Sequence, residues 1–358
     1  MKKKLNKTTK SNLITYAMVV IVYIIVQLLV SGGAVSSLMK GLLVPLCVYS
    51  ILAVSLNLTV GILGELSLGH AGFMCIGAFT SATFSKLTNG VIQPAGFRFF
   101  LAILVGAVFA GIFGLLIGIP VLRLKGDYLA IVTLAFGEII KNLINVLYIG
   151  VDDKGLHVAT SAAGLHLEAG GKQILKGALG ISGTATLYKD IKNYFFLIGV
   201  ILLLLTLFIV QNLVNSRSGR AIMSTRDNRI AAESVGINIT RYKLLAFTIS
   251  AALAGVAGVL YAHNLSLLKV SVFDYNMSIL VLVYVVLGGI GNIRGSIIAT
   301  IILYALPELL RGFANYRMLI YAIVLIIMML FNWAPAARDW RARMVEKFKG
   351  KKEKKEVA

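Results

Sequence analysis

From Leu13 to Val30 the chain runs for eighteen residues without a charged side chain. Nine more apolar stretches follow, at Leu42–Val60, Leu66–Phe84, Phe99–Val121, Tyr128–Leu147, Tyr194–Val214, Leu244–Ala262, Met277–Leu287, Ser296–Leu310 and Met318–Trp333. Roughly 20 apolar residues in a helix match the hydrocarbon thickness of a bilayer. So many such runs cannot share one soluble core. Across 358 residues, 58% are hydrophobic and 14% charged, against about 45–50% and about 25% in soluble domains. A water-soluble globule and a disordered chain are both excluded. The expected fold class is an all-α polytopic membrane protein of about ten transmembrane segments, with roughly eight as the lower bound. Met277–Leu287, Ser296–Leu310 and Met318–Trp333 fall short of a full span, so some segments are expected to be tilted, broken or partial. Phe99, Phe100, Tyr194 and Trp333 sit at segment ends, as in an interfacial aromatic belt.

Formal net charge is +20, from 35 Lys and Arg against 15 Asp and Glu. Nucleic acid binding is one reading of such a balance, and position decides. Ten spans place both termini on one side, where 23 of the 35 basic residues collect. They lie in the N-terminal tail, at Arg123 and Lys125, between Arg217 and Lys243, at Arg294, and from Arg338 to Lys355. Eleven fall thinly on the opposite side, and Lys141 lies within a span. That asymmetry marks the basic side as cytoplasmic. The excess charge is then an orientation signal with an attraction to membrane lipid, and no nucleic acid partner is expected.

The resulting organisation is a basic cytoplasmic tail over 1–12, a transmembrane domain over 13–335 and a second basic cytoplasmic tail over 336–358. Within the domain, residues 150–192 form a polar, glycine-rich outer loop and 216–243 a basic cytoplasmic loop. The Leu13–Val30 run exceeds the about 7–15 residue core of a cleavable signal. Although Ser31–Ala34 offer the small residues of a cleavage site, a retained first span is expected.

No G-x-x-x-x-G-K-[ST] phosphate loop, H-E-x-x-H motif or His/Cys cluster occurs, so no metal ligand and no catalytic residue is assigned. Cys47 and Cys75 lie in apolar stretches without metal-ligand spacing and read as small buried hydrophobes. Gly180-Ile181-Ser182-Gly183 matches the G-x-S-G of intramembrane serine proteases. Its serine falls in the outer loop, with His263 the only plausible base, so a hydrolase is a remote third alternative.

The stretch Gly61-Ile62-Leu63-Gly64-Glu65-Leu66-Ser67-Leu68-Gly69-His70-Ala71-Gly72 is the least helical apolar sequence in the chain. Two readings stay open. In one, the helix breaks beside a substrate path and restarts with its positive N-terminal dipole aimed into it. Asn57, Gly64, Ser67, Gly69 and His70 are then pathway candidates, with Glu138 of a later span as a further one. In the other, small residues simply let helices pack closely. A looser parallel runs over Leu287-Gly288-Gly289-Ile290-Gly291-Asn292-Ile293-Arg294-Gly295. Glu138 is the one acid in the middle of a span, with Lys141 three residues on. A proton-coupled carrier would need such a group; a self-satisfied pair with Lys141 snorkelling is the favoured reading.

In the cytoplasmic loop, Asp227 is placed to cap a short helix over Asn228–Val235, with Gly236 ending it in the left-handed conformation. Ile230, Ala231 and Val235 supply apolar contact positions. Two turns are not stable alone in water, so this helix calls for a partner surface.

The run from Gly219-Arg220-Ala221 through Arg226-Asp227-Asn228-Arg229-Ile230-Ala231-Ala232-Glu233-Ser234-Val235-Gly236, continuing to Phe247, resembles the cytoplasmic signature of branched-chain amino acid ABC transporter permeases. It is closer to the LivM-type subunit than to its LivH-type partner. Leu66–Phe73 is similar to the family's early signature and Gly288–Gly295 to its late one. The resemblance covers most of Leu42–Trp333. Of the wider importers' E-A-A-x-x-x-G loop, Ala231, Ala232 and Gly236 match, while Ile230 stands in the place of Glu.

The resemblance implies a non-enzymatic translocation subunit for leucine, isoleucine and valine in a bacterial inner membrane. It implies a heterodimer with a LivH-type permease, two ATPase subunits that bind the ATP and Mg, and an extracytoplasmic binding protein. This chain itself would hold no cofactor. Arg226, Asp227, Ile230, Ala231, Ala232, Glu233 and Gly236 would form the contact with an ATPase. Related permeases of the branch move urea, amides or other amino acids, which leaves the substrate open.

Overall fold

The computed structural model describes residues 7–33, 36–124, 126–168, 170–313 and 316–333. Lys125, the C-terminal tail and the first residues of the N-terminal tail lie outside them.

The apolar runs become helices in chain order. They are α1 (Lys7–Ser31), α2 (Ser37–Asn57), α3 (His70–Leu87), α4 (Ala95–Val121), α5 (Asp127–Val146) and α6 (Phe195–Asn215). After two short helices, α7 (Arg217–Asp227) and α8 (Arg229–Ser234), come α9 (Ile239–Asn264), α10 (Tyr275–Gly288), α11 (Ile293–Leu309) and α12 (Arg317–Trp333). Ten of these are apolar, one for each expected span. Seven helical segments among the described residues are long and apolar enough to cross a bilayer, while α10 and α12 are shorter.

The core is built around α2 and α9. Of α2's apolar window 94% is buried, against 11% of α1's, so α2 is a central strut and α1 a peripheral one. Helix α9 packs on α3 and α4 through small residues. A methyl added to Gly77 would lie 2.3 Å from the Gly255 carbonyl oxygen, and one added to Gly258 2.1 Å from that of Met74. Small residues substitute here for a hydrophobic driving force, because lipid chains are as apolar as leucine. Cys47 and Cys75 are free thiols buried in the helix packing, as their apolar settings suggest.

Contacts sort the loops to two ends. At one end Arg226 meets Gly61, Lys243 meets Glu65 and Arg294 meets Thr15; this is the basic end. The opposite end carries the 150–192 loop, which is not structureless. It folds into a three-stranded antiparallel sheet, β2 (Gly155–Ala159), β1 (Tyr148–Asp152) and β3 (Lys172–Lys176), in the order β2-β1-β3. A further pair, β4 (Ile181–Ser182) with β5 (Leu267–Leu268), ties it to the α9–α10 connection.

Two interruptions break the helical pattern. After α2 the helix loosens into a π-helical turn over Leu58–Leu63 and stops at Gly64, whose φ of +80° is left-handed. Such a φ costs any other L-residue roughly 1–2 kcal/mol. Residues 64–69 have no regular structure, so the third span starts at His70 rather than at Leu66. The second interruption lies between α10 and α11, with Gly289 and Gly291 at φ of +97° and +81°.

Candidate functional site

The two glycine-rich interruptions, well over two hundred residues apart in sequence, lie against each other. The Gly291 amide donates to Asn57 Oδ1 at 2.9 Å, and Asn57 Nδ2 donates to Ser296 Oγ at 2.9 Å. Asn57 is fully buried, and its amide clamps the late break onto the end of α2. A methyl on Gly61 would lie 2.4 Å from the Gly291 nitrogen, so this approach needs glycine.

The extended 64–69 segment is stitched to the neighbouring helices. The Leu68 amide donates to Thr133 Oγ1 on α5 at 3.0 Å, and the Ala71 amide donates to Ser278 Oγ on α10 at 3.0 Å. These side chains satisfy backbone donors that a broken helix leaves without partners. Gly69 presses on α5, where an added methyl would be 2.5 Å from the Thr133 carbonyl oxygen.

His70 opens α3 beside Ser250 of α9, at 3.1 Å from its Nε2. The Ser250 hydroxyl spends its one proton on the Ser55 carbonyl. Its oxygen therefore accepts from Nε2–H, which leaves Nδ1 as an acceptor. That Nδ1 is buried without a partner, as are Ser67 Oγ and Thr59 Oγ1. Ser250 lies eleven residues into α9, roughly 16 Å along it at about 1.5 Å per residue. His70 therefore lies deeper than Gly61 and Glu65, which meet Arg226 and Lys243 at the basic end. Three orphaned polar atoms along the break mark a place where a polar guest would be stabilised.

From the basic end, Arg226 reaches into the same break. Its Nη1 donates to the Gly61 carbonyl oxygen at 2.9 Å, while Nε and Nη2 hold Asp227 Oδ1 at 3.0 and 2.8 Å. A π-helical turn leaves carbonyls short of intrahelical partners, and the guanidinium supplies one. A methyl on Gly64 would meet Arg226 Cγ at 2.5 Å. Arg226 sits in the last turn of α7, directly before the short helix.

That helix departs from the expected form in three ways. It spans Arg229–Ser234, shorter than Asn228–Val235, and α7 precedes it as a separate helix. Its cap is Asn228, whose Oδ1 accepts from the Ala231 amide at 3.0 Å. Asp227 does not cap because its carboxylate is engaged by Arg226. Gly236 ends the helix at φ of +81°, as the pattern suggested. Ala232 is buried, whereas Ile230 and Val235 are 80% and 73% exposed. Ala231 and Glu233 also face outward, with Glu233 paired to Arg229 at 3.5 Å.

Glu138 lies apart from the break. Lys141 pairs with it at 2.5 Å, and its Oε1 accepts from the Tyr275 amide at the start of α10 at 3.0 Å. The carboxylate thus anchors a helix start. His263, the base the sequence offered for Ser182, is spent on Ser85 Oγ at 2.8 Å and on the Val259 carbonyl at 2.8 Å.

A family model for the permease component of branched-chain amino acid transport systems matches residues 38–331. The chain belongs to that family. The permease is 36% identical over 295 residues to the high-affinity branched-chain amino acid transport system permease protein LivM of Escherichia coli strain K12. That alignment covers 80% of this chain and 67% of its relative. The LivM protein of Salmonella typhimurium strain LT2 gives the same figures. The LivH permease of the same Salmonella strain is 24% identical over 291 residues, covering 79% of this chain and 88% of that protein. No solved structure matches the permease. Helix α1 lies outside the matched residues, and both breaks and α8 lie inside them.

Ser250, Ser278, Thr133 and Ser296 serve the breaks but were not legible as site residues. Each is a lone hydroxyl in an apolar run, with no pattern to single it out.

Proposed function

We propose that the permease is the translocation subunit of an ATP-driven importer for leucine, isoleucine and valine, in a bacterial inner membrane with its basic end in the cytoplasm. The observation that carries this reading is the Arg226–Gly61 bond. It joins α7, directly before the short external helix, to the polar break that holds the orphaned atoms of Thr59, Ser67 and His70. The relatives named LivM support the substrate class.

In this reading α8 is the coupling helix. Ile230 and Val235 offer an apolar face for a groove on an ATPase subunit, with Ala231, Glu233 and Gly236 beside it. Two ATPase subunits hold the ATP and Mg, since no phosphate loop occurs here. A LivH-type permease completes the pathway, and a binding protein delivers substrate to the sheet end. When the ATPases close, α8 moves with them. Arg226 draws on Gly61, and the π-helical turn shifts with Asn57 and the late break. Ser67 and His70 Nδ1 supply polar contacts for a zwitterion, and Gly64 and Gly69 give the backbone room to approach. Closure in such machines is gated by a few bistable elements, and in this reading the π-turn that packs on the late break serves as one.

Uptake of labelled leucine by cells carrying the whole system tests this reading. Uptake should survive collapse of the proton gradient while ATP is present, and fail without the ATPase subunits. Loss with the gradient alone would favour a proton-coupled carrier using Glu138. Competition by urea, short amides and other amino acids settles the substrate within the branch.

A further inference from the structure

Helix α9 meets the first break at two heights. Lys243 pairs with Glu65, and Ser250 sits against His70. Lys243 and Ser250 are seven residues apart, which sets them on one face of the helix about two turns from each other. The segment from Glu65 to His70 therefore runs along that face, from the basic end inward. Between its ends lies Ser67, fully buried, whose Oγ has no partner. At the inner end His70 Nδ1 has none either. The face thus carries two orphaned polar atoms in its depth and one ion pair at its basic end.

That pair stands where the break comes to the surface. Glu65 and Lys243 keep 14% and 11% of their side-chain surface exposed, and Gly64 and Leu66 on either side of Glu65 are exposed. Among the described residues neither charge has a second ion-pair partner. The nearby Arg226 is spent on Asp227 and Gly61. An ion pair largely withdrawn from water adds little net stability, because desolvation offsets most of the attraction. Parting it is another matter, since each partner left alone becomes a partly buried, uncompensated charge. A guest avoids that penalty only by bringing both charges itself, a cation for Glu65 and an anion for Lys243.

We propose that the Glu65–Lys243 pair is a zwitterion site. A free amino acid parts the two side chains, placing its α-ammonium on Glu65 and its α-carboxylate on Lys243, as it passes from the Ser67–His70 section to the basic end. This rests on the reading of the permease as an importer and narrows its substrate class. Urea and short amides carry neither charge and would leave both side chains unpaired. A monoamine or a monocarboxylate would leave one. Neither charge reads the substrate's side chain, so the site separates amino acids from amides without ranking leucine, isoleucine and valine.

The test is ligand-observed saturation-transfer NMR on the assembled permease–ATPase complex in nanodiscs, with no binding protein present. The probes are leucine, leucinamide and isocaproate, which share one isobutyl group; leucinamide keeps only the ammonium and isocaproate only the carboxylate. Wild type should bind leucine about tenfold or more tightly than either analogue, as one charge-assisted contact provides. Glu65→Gln combined with Lys243→Gln keeps hydrogen-bonding groups and leaves no lone charge, and leucine should fall to the level of the analogues. Glu65→Lys combined with Lys243→Glu restores a pair of reversed sense and should recover the preference. Co-purification of the ATPase subunits shows that each variant has assembled; should neither assemble, the wild-type comparison still decides. Equal binding of the three probes by wild type, no leucine binding, or a preference kept by the doubly neutral variant would overturn the proposal. Each of these can occur with ATP-driven uptake intact, whereas uptake that persists without the ATPase subunits would instead overturn the importer reading.

Discussion

Arg226 Nη1 and the Gly61 carbonyl oxygen are 2.9 Å apart across 165 positions of sequence. The bond joins a surface helix to a π-turn inside the bundle, and the surrounding geometry leaves it little freedom. Gly64 has a φ of +80° and faces Arg226 Cγ, so Gly64→Ala is expected to cost about 1–2 kcal/mol from backbone strain alone. It should also push the guanidinium off Gly61. Arg226→Ala in the Gly64→Ala background removes the clash. The pair should therefore be less destabilised than the sum of the single variants, as measured by thermal unfolding in detergent.

Asn57 is the clamp between the two breaks. Asn57→Ala leaves the Gly291 amide and the Ser296 hydroxyl without that partner in a buried setting, which costs roughly 1–3 kcal/mol. Asn142→Ala is the control, because Asn142 is exposed and bonds only its own helix, at the Glu138 carbonyl. The unfolding midpoint should drop for the first and stay within error for the second.

The face of α8 separates binding from stability. Ile230→Asp and Val235→Asp fall on exposed positions and should change stability by less than about 0.5 kcal/mol. Both should nevertheless abolish co-purification of the ATPase subunits. Ala232→Leu enlarges a buried residue and should destabilise by about 1–3 kcal/mol. Loss of stability for the exposed pair would mean that α8 packs on its own chain.

The sheet end carries a pH dependence. Asp152 accepts from the Lys154 amide at 2.9 Å, the Glu168 amide at 3.4 Å and His157 Nε2 at 2.9 Å. Burial works against its charge, but these donors outweigh burial and hold the carboxyl below its ordinary range. A group lowered on folding stabilises above its unfolded pKa, and that contribution fades as pH falls through the folded value. Hydrogen-exchange protection over β1 and β2, taken relative to the intrinsic rate at each pH, should therefore fall on acidification below pH about 4. Asp152→Asn should remove that step.

The spans were legible because ten apolar runs admit few folds, and each became a helix. The glycine-rich stretches were legible as anomalies, but their mutual contact was not. Nothing in a linear sequence says that Gly61 and Gly291 touch. Asp227 suited a cap by its type and position. It lost the role to Asn228 because a neighbouring guanidinium took its carboxylate, a competition that only geometry decides. The sheet in the 150–192 loop was hidden by its polar, glycine-rich composition. Glu138 read as an acid at depth, and its partner at the start of α10 came from a segment 137 positions later.

The central claim is that motion at α8 reaches the break through Arg226. The most direct measurement is leucine transported per ATP hydrolysed, in proteoliposomes holding the complete complex with Arg226→Gln. The account predicts that ATPase subunits still bind and hydrolyse ATP while transport per ATP falls about tenfold or more, as expected for loss of a charge-assisted bond on the coupling route. Transport and hydrolysis falling together, with their ratio kept at the wild-type value, would contradict it.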